Sequence, residues 1–356
     1  MSFKILITGG AGFVGSSLAL KFKATFPEYG VFVLDNLKRR GSELNLPRLK
    51  QGGVIFVHGD IRNKSDFDAL DKDFTHIIEA SAEPSVLAGL NGSPDYLIDT
   101  NLVGTINCLT FARSCKSAFI FLSTSRVYPI KRLEQCAFEE FETRFNFSSR
   151  QSIAGVSDRG ISEDFPLDGY RSLYGATKLA SELLIHEFNE FYGLKTIINR
   201  CGVLTGPWQM GKVDQGVVVL WMARHYWKQR LSYLGYGGEG KQVRDVLHVD
   251  DLFDILNLQM HNLEQYNNQI FNIGGGQETS LSLQELTKIC QEITGNTIEI
   301  DKVKENRQAD LRIYITDNSR ITSVSKWKPS KGSVEILTDV FEWLRNNEQA
   351  LKEILK

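Results

Sequence analysis

Tyr174 and Lys178 stand four residues apart, a spacing that puts both side chains on one face of a helix. A phenol is a weak base at neutral pH because its ordinary pKa is about 10. A neighbouring ammonium favours the phenolate. Such a pair can take the proton of an alcohol while a hydride leaves the same carbon. The lysine can also hydrogen-bond the ribose of a nicotinamide nucleotide. Thr124, in Leu122-Ser123-Thr124-Ser125-Arg126-Val127-Tyr128, offers a hydroxyl that can turn the reacting oxygen toward the tyrosine. Each feature also has a plainer reading. A Y-x-x-x-K can be a surface pair, and a Ser/Thr-rich turn can cap its own backbone.

The hydride acceptor is suggested upstream. Thr8-Gly9-Gly10-Ala11-Gly12-Phe13-Val14-Gly15 fits both G-x-x-G-x-x-G, through Gly9, Gly12 and Gly15, and G-x-G-x-x-G, through Gly10, Gly12 and Gly15. Glycines allow a tight turn and let a pyrophosphate approach the backbone, and the helix that follows offers free N–H groups. Asp35, twenty residues after Gly15, can hold both hydroxyls of the adenosine ribose. Its charge repels a 2′-phosphate, so the cofactor expected is NAD rather than NADP, a preference that Lys38, Arg39 and Arg40 weaken. Asp60 can meet the adenine through its side chain or backbone, or can simply cap a turn.

These groups need strand ends and helix starts to hold them. Ile5-Leu6-Ile7, Val31 to Leu34, Val54 to Val57, His76-Ile77-Ile78, Phe119 to Leu122 and Thr196 to Ile198 read as short buried strands. Helices are expected over Phe13–Phe26, Tyr96–Arg113 and Ser172–Phe191. That alternation predicts an α/β fold: a doubly wound parallel sheet, with a smaller and less regular C-terminal α/β region, which the family resemblance given below implies is substrate-binding. The expected division is 1–200, carrying an irregular polar insertion at 129–172, and 201–356, the two sharing a core. Helices over Asp214–Gln229, Val249–Asn262, Gln284–Thr294 and Val334–Asn346, and strands around Tyr233 and over Val243–Leu247, fill the second region.

The remaining composition narrows the class. A chain of 356 residues, 42% apolar and 24% charged, builds a real core. A net charge of −2 argues against a nucleic-acid partner. No apolar run reaches a membrane-span length, and the start lacks the features of a secretory signal. The five cysteines and six histidines are dispersed, so no metal site is expected and the thiols read as reduced, in a cytoplasmic protein.

Taken in order, the glycine turn, Asp35-Asn36-Leu37, Gly59-Asp60-Ile61-Arg62, Asn101-Leu102-Val103-Gly104-Thr105, Ser123-Thr124 and Tyr174/Lys178 resemble the extended short-chain dehydrogenase/reductases, which act mainly on nucleotide sugars. The resemblance implies a Rossmann sheet and a catalytic set of Thr124, Tyr174 and Lys178. It implies cofactor contacts from Gly9, Gly12, Phe13, Val14, Asp35 and Asn36. Further contacts are implied from Asp60, Ile61, Ala80 and Asn101, with Tyr174 and Lys178. Thr124, Ser125 and Arg126 would face the sugar. Gln242-Val243-Arg244-Asp245-Val246-Leu247-His248-Val249-Asp250-Asp251 is similar to the family's R-D-x-x-H-V-x-D segment and implies Arg244 as a diphosphate ligand. Arg307, ahead of Asp310, resembles a second one. Guanidinium forks suit phosphate oxygens.

Glu142-Thr143-Arg144-Phe145, Gly160-Ile161-Ser162-Glu163, Asp214-Gln215-Gly216 and the long insertion resemble a subgroup that inverts C2 of a CDP-linked sugar. The partner this implies is a nucleotide-diphosphate sugar, and the assembly a dimer or tetramer. Two alternatives stay open: a UDP-sugar 4-epimerase or other nucleotide-sugar enzyme of this superfamily, and a non-catalytic NAD sensor. Dehydration fits less well, because Ser125 and Arg126 stand where that subgroup carries an Asp-Glu pair. Glu79, where many members carry His, and Pro129, where Gly is usual, depart from the pattern.

Overall fold

The computed structural model describes residues 2–90, 92–211 and 215–355. The chain forms two compact units. The first comprises residues 1–127, 172–200 and 252–271; the second comprises 128–171, 201–251 and 272–356. Residues 129–172, expected as an insertion in the first region, thus fall almost wholly in the second unit.

The first unit is built on strands β1 (Lys4–Thr8), β2 (Gly30–Asp35), β3 (Ile55–His58), β4 (His76–Glu79), β5 (Ala118–Thr124), β6 (Thr196–Cys201) and β7 (Gln269–Ile273). They lie in one sheet in the order β7-β6-β5-β4-β1-β2-β3. The ladders β3–β2, β2–β1, β1–β4 and β4–β5 are parallel. This is the doubly wound Rossmann sheet expected from the apolar runs. The order turns back at β1, where neighbours lie on both sides, and ligands gather at such a reversal. Register places Thr8 beside Leu34 and Glu79, and Glu79 beside Phe121, so the strand ends form one edge. Strand β7 escaped the apolar-run criterion because Gln269 and Asn272 interrupt it.

Helix α1 (Phe13–Thr25) buries Leu18, Ala19 and Phe22. The helix expected over Tyr96–Arg113 is three pieces: Asp95–Ile98, a π-helical turn at Asp99–Val103, and α2 (Gly104–Cys115). Helix α3 (Leu173–Tyr192) starts at Ser172, whose hydroxyl accepts the Gly175 N–H, and stops at Gly193 in the left-handed region, φ 66°. Leu109, Phe119, Phe121, Ile185 and Ile198 fill the core between sheet and helices.

In the second unit, Val243–His248 is flanked by Val203–Thr205 in parallel and by Ser280–Ser282 antiparallel, with Ile313–Tyr314 beside it. Leu231–Leu234 pairs in parallel with Ile300–Val303. The polar stretch is not wholly irregular. It contains the helix Ile130–Glu134 and two antiparallel ribbons, Phe138–Glu140 with Phe145–Phe147 and Val156–Ser157 with Gly160–Ile161. The expected helix start at Asp214 lies outside the described residues; the helix observed is Val217–Tyr226. Among the described residues no helix is long and apolar enough to cross a membrane.

One buried ion pair ties α3 to the sheet. Arg200 on β6 donates to both oxygens of Glu182 on α3, the closest contact being 2.7 Å, and Ser123 on β5 donates to the same carboxylate. Both charged partners are buried, at 2% and 1% exposure. Removing one partner leaves an uncompensated buried charge, which costs about 3–5 kcal/mol. Arg200→Met is therefore expected to destabilise by about 3–5 kcal/mol in urea unfolding, while adding Glu182→Met restores most of the loss. A single variant as stable as the parent would remove the pair from this role.

Candidate active site

The glycine turn forms where β1 hands over to α1. Gly12 N–H donates to Gly9 O at 3.0 Å, and Gly9 has φ +65°. A Cβ on Gly9 would lie 2.9 Å from the Ala80 carbonyl oxygen and the Ser81 backbone; one on Gly15 would lie 2.3 Å from Gly9 O. Glycine at these two positions is thus demanded by backbone packing. Gly12 caps α1 without a side-chain hydrogen bond, and the first helical turn carries no acid. Its N–H groups present partial positive charge beside half-buried Phe13 and Val14. A pyrophosphate fits this cradle, where a Cβ would meet backbone.

Asp35 ends β2. Its carboxylate accepts the Ala11 N–H at 3.0 Å and the Leu37 N–H at 2.7 Å. Burial pushes the carboxyl up from its ordinary range, against those backbone donors. Asn36 donates to Asp60, and Arg62 grips Asp60 with contacts as short as 2.6 Å. Burial raises the Asp60 carboxyl, but the hydrogen bonds from Arg62 and Asn36 outweigh it and hold the group down at about 2. The Asp60 side chain is thus committed to its own turn, and its backbone N–H donates to the Asp66 carboxylate at 2.7 Å. Lys38 lies 3.4 Å above the Tyr96 ring centroid, and Arg62 sits 4.7 Å from the same ring. Sequence spacing held no signal for that cation–aromatic stack.

Thr124 ends β5, buried at 8% exposure. Its hydroxyl oxygen accepts the Arg126 N–H at 3.2 Å within the short helical turn Ser125–Val127, which leaves the hydroxyl proton to donate elsewhere. Tyr174 and Lys178 lie in the first two turns of α3, at 9% and 1% exposure. The Lys178 ammonium lies 3.8 Å from the Phe121 ring centroid. Thr124, Tyr174, Lys178, the glycine turn, Asp35 and Ala80 all belong to the first unit.

Asn101 is fully buried and hydrogen-bonded on several sides. Its amide is spent on the Glu83 backbone, accepting at 2.8 Å and donating at 3.1 Å. It also donates to Thr177 on α3, and its carbonyl accepts the Ser181 hydroxyl. It sits in the π-helical turn, a feature frequent at functional sites. It braces the loop after β4 and the helix of Tyr174. Thr177 and Ser181 carried no assignment in the sequence; their four-residue spacing was the available signal.

Arg244 and Arg307 belong to the second unit. Arg244 donates to Asp310 at 2.9 Å and to Leu311 O at 2.7 Å. The Asp310 N–H in turn donates to Arg307 O at 3.4 Å, so the Arg244 side chain, from the strand Val243–His248, binds the turn that begins at Arg307. That Asp310 neutralises part of the Arg244 charge is a finding of the structure.

A Rossmann sheet with a glycine turn open to a pyrophosphate and a carboxylate closing β2 is the arrangement of an enzyme that works with NAD. The chain belongs to the NAD dependent epimerase/dehydratase family, which matches residues 5–274. It is 31% identical to the CDP-paratose 2-epimerase of Salmonella typhi over 96% of this chain and 98% of that protein. Among solved structures, it is similar to the UDP-glucose 4-epimerase of Thermotoga maritima with UDP-glucose. There the TM-score is 0.78 and the identity 26%, over 97% of this chain and 99% of that one. The UDP-glucose 4-epimerase of Thermus thermophilus in complex with NAD aligns with TM-score 0.76 and 25% identity, over 96% and 99% of the two chains.

Because a Cβ at Gly15 would meet backbone rather than a movable side chain, Gly15→Ala must open the turn. The variant is expected to lose NAD binding by at least tenfold in calorimetric titration; unchanged affinity would place the dinucleotide elsewhere.

Proposed function

We propose that this protein epimerises a nucleotide sugar through a transient keto sugar, inverting C2 of CDP-paratose to give CDP-tyvelose or a close relative. The product would serve surface-polysaccharide synthesis, as in lipopolysaccharide. The observation that carries the substrate is the likeness to CDP-paratose 2-epimerase over nearly the whole of both chains. The chemistry is carried by the Tyr174/Lys178 pair on α3.

Residues 9–15, Asp35, Asn36, Asp60, Ile61, Ala80 and Asn101 would hold NAD, which when bound supplies a two-electron acceptor and donor. Tyr174 takes the hydroxyl proton at the sugar carbon as a hydride leaves that carbon, and returns the proton to the same oxygen after the keto sugar has turned and the hydride has come back to its other face. Lys178 stabilises the phenolate. Thr124 donates a hydrogen bond to the reacting oxygen, and Ser125 and Arg126 line the sugar. Arg244 and Arg307 would hold the diphosphate, keeping the nucleotide in place while the sugar turns. A second reading, 4-epimerisation of a UDP-sugar, is favoured by the likeness to the two UDP-glucose 4-epimerases. Ile106 on α2 and Leu183 and Phe191 on α3 are exposed at 37%, 63% and 77%, and this apolar surface supports a homo-oligomer.

Incubation with CDP-, UDP-, GDP- and dTDP-sugars, followed by NMR, is expected to show inversion at C2 of the CDP-sugar without added reductant. Inversion at C4 of a UDP-sugar would replace the first reading by the second, and no turnover of any sugar would reject both. Tyr174→Phe is expected to keep NAD and lose turnover by a factor of at least about 100. Arg244→Ala should raise KM about tenfold or more, as expected for a lost charge-assisted hydrogen bond; an unchanged KM would put the diphosphate elsewhere. Sedimentation is expected to give a dimer or tetramer, with a monomer overturning the assembly.

A further inference from the structure

Glu79 is a buried acid that no role above uses. It ends β4 between Thr8 of β1 and Phe121 of β5, and is 0% exposed. Its Oε1 is 2.8 Å from the Thr105 hydroxyl on α2, while its Oε2 has no hydrogen-bond partner among the described residues. An isolated buried carboxylate is strongly disfavoured. Burial pushes the Glu79 carboxyl up, and the charge of Lys178 and the Thr105 hydroxyl pull it back. The groups that face it are Thr8 from β1, Phe121 from β5, Thr105 and Cys108 from α2, and Lys178 from α3. Of these, Cys108 and Lys178 are titratable. Burial first, and then Glu79 itself, drive the Cys108 thiol up, so it stays neutral. Lys178 is the cation to which Glu79 answers: its ammonium lies 3.8 Å from the ring centroid of Phe121, the residue paired with Glu79 across the β4–β5 ladder.

The surroundings accept both protonation states. Thr105 has one hydroxyl proton and two acceptors in reach, Glu79 Oε1 at 2.8 Å and Asn101 O at 2.9 Å. When Glu79 is ionised, Thr105 donates to it. When Glu79 is protonated, it can donate to Thr105, which then donates to Asn101 O. Neither state leaves the hydroxyl unused, so Glu79 can titrate without breaking its packing.

One ammonium therefore serves two acids. Lys178 stabilises an anion on Glu79 or on Tyr174, and the two anions repel each other. We propose that Glu79 is a positioning residue whose carboxylate draws on the charge of Lys178 and so raises the pH at which Tyr174 becomes a base. This rests on Tyr174 and Lys178 being the proton-transfer pair.

Glu79→Gln keeps the shape and the acceptor for Thr105 but removes the charge. The acid limb of kcat/KM is expected to move down by about one pH unit with little change in KM, since a neighbouring charge shifts an ionisation by about 1–3 units. Glu79→Asp retains the charge and should keep the limb near that of the parent. A substrate-free readout separates this from the catalytic assignment. Near-ultraviolet titration of tyrosinate, taken as the difference between each protein and its Tyr174→Phe partner, should move the same way. If Glu79→Gln fails to fold by circular dichroism, Thr105→Val serves: it removes the donor to ionised Glu79 and should lower the same tyrosinate titration by a smaller amount. A titration that stays put or rises in Glu79→Gln, or an equal shift in Glu79→Asp, would overturn the proposal. Turnover that survives Tyr174→Phe would instead overturn the catalytic reading.

Discussion

Helix α3 is pinned to the sheet by polar groups that have no water to turn to. At its middle, Glu182 is gripped by Arg200 and Ser123. Closer to its start, Thr177 and Ser181 meet Asn101. Inside the protein each such group is costly to leave unpaired, so the helix has one acceptable rotation and one acceptable height. The consequence falls on Tyr174 and Lys178, which occupy the same helix. Their direction is set by bonds that take no part in chemistry.

The sheet supplies the complementary constraint. Because β1, β2, β4 and β5 run in parallel, Thr8, Asp35, Glu79 and Thr124 all arrive at one edge. The glycine turn can reach that edge because Gly9 and Gly15 let two stretches of backbone touch where a side chain would not fit. The same crowding has a cost. It encloses Glu79 and Lys178 together, at 0% and 1% exposure, and electrostatics strengthens in such surroundings. Dense packing thus makes the ionisations of this site interdependent.

The second unit follows a different logic. Arg244 and Asp310 form a pair of partly exposed charges at 2.9 Å, with the Arg307 carbonyl in the same turn. The Arg244 guanidinium is held by the Asp310 carboxylate and the Leu311 carbonyl, a half-buried pair rather than an enclosed one. The two units are interleaved along the chain: it leaves the first at Val127, returns at Ser172, and crosses again after Arg200 and before Leu252.

The order of strands and helices around the dinucleotide turn was legible in the sequence because apolar runs, glycine spacing and the Tyr/Lys interval are local patterns. Strands β1 to β6 appear within a few residues of where their apolar runs stand. What only the tertiary structure decided depends on partners far apart in the chain. The Asp60 side chain is committed to Arg62 and Asn36, and Asn101 braces the loop after β4 against α3. Residues 128–171 join the second unit, and β7 completes the sheet from position 269. Glu79 stood out in the sequence as a departure from its motif. Its partners Thr105 and Lys178, 26 and 99 positions away, became visible only when the sheet and two helices closed around it. Local spacing specifies which groups can act; long-range packing specifies which of them share a charge.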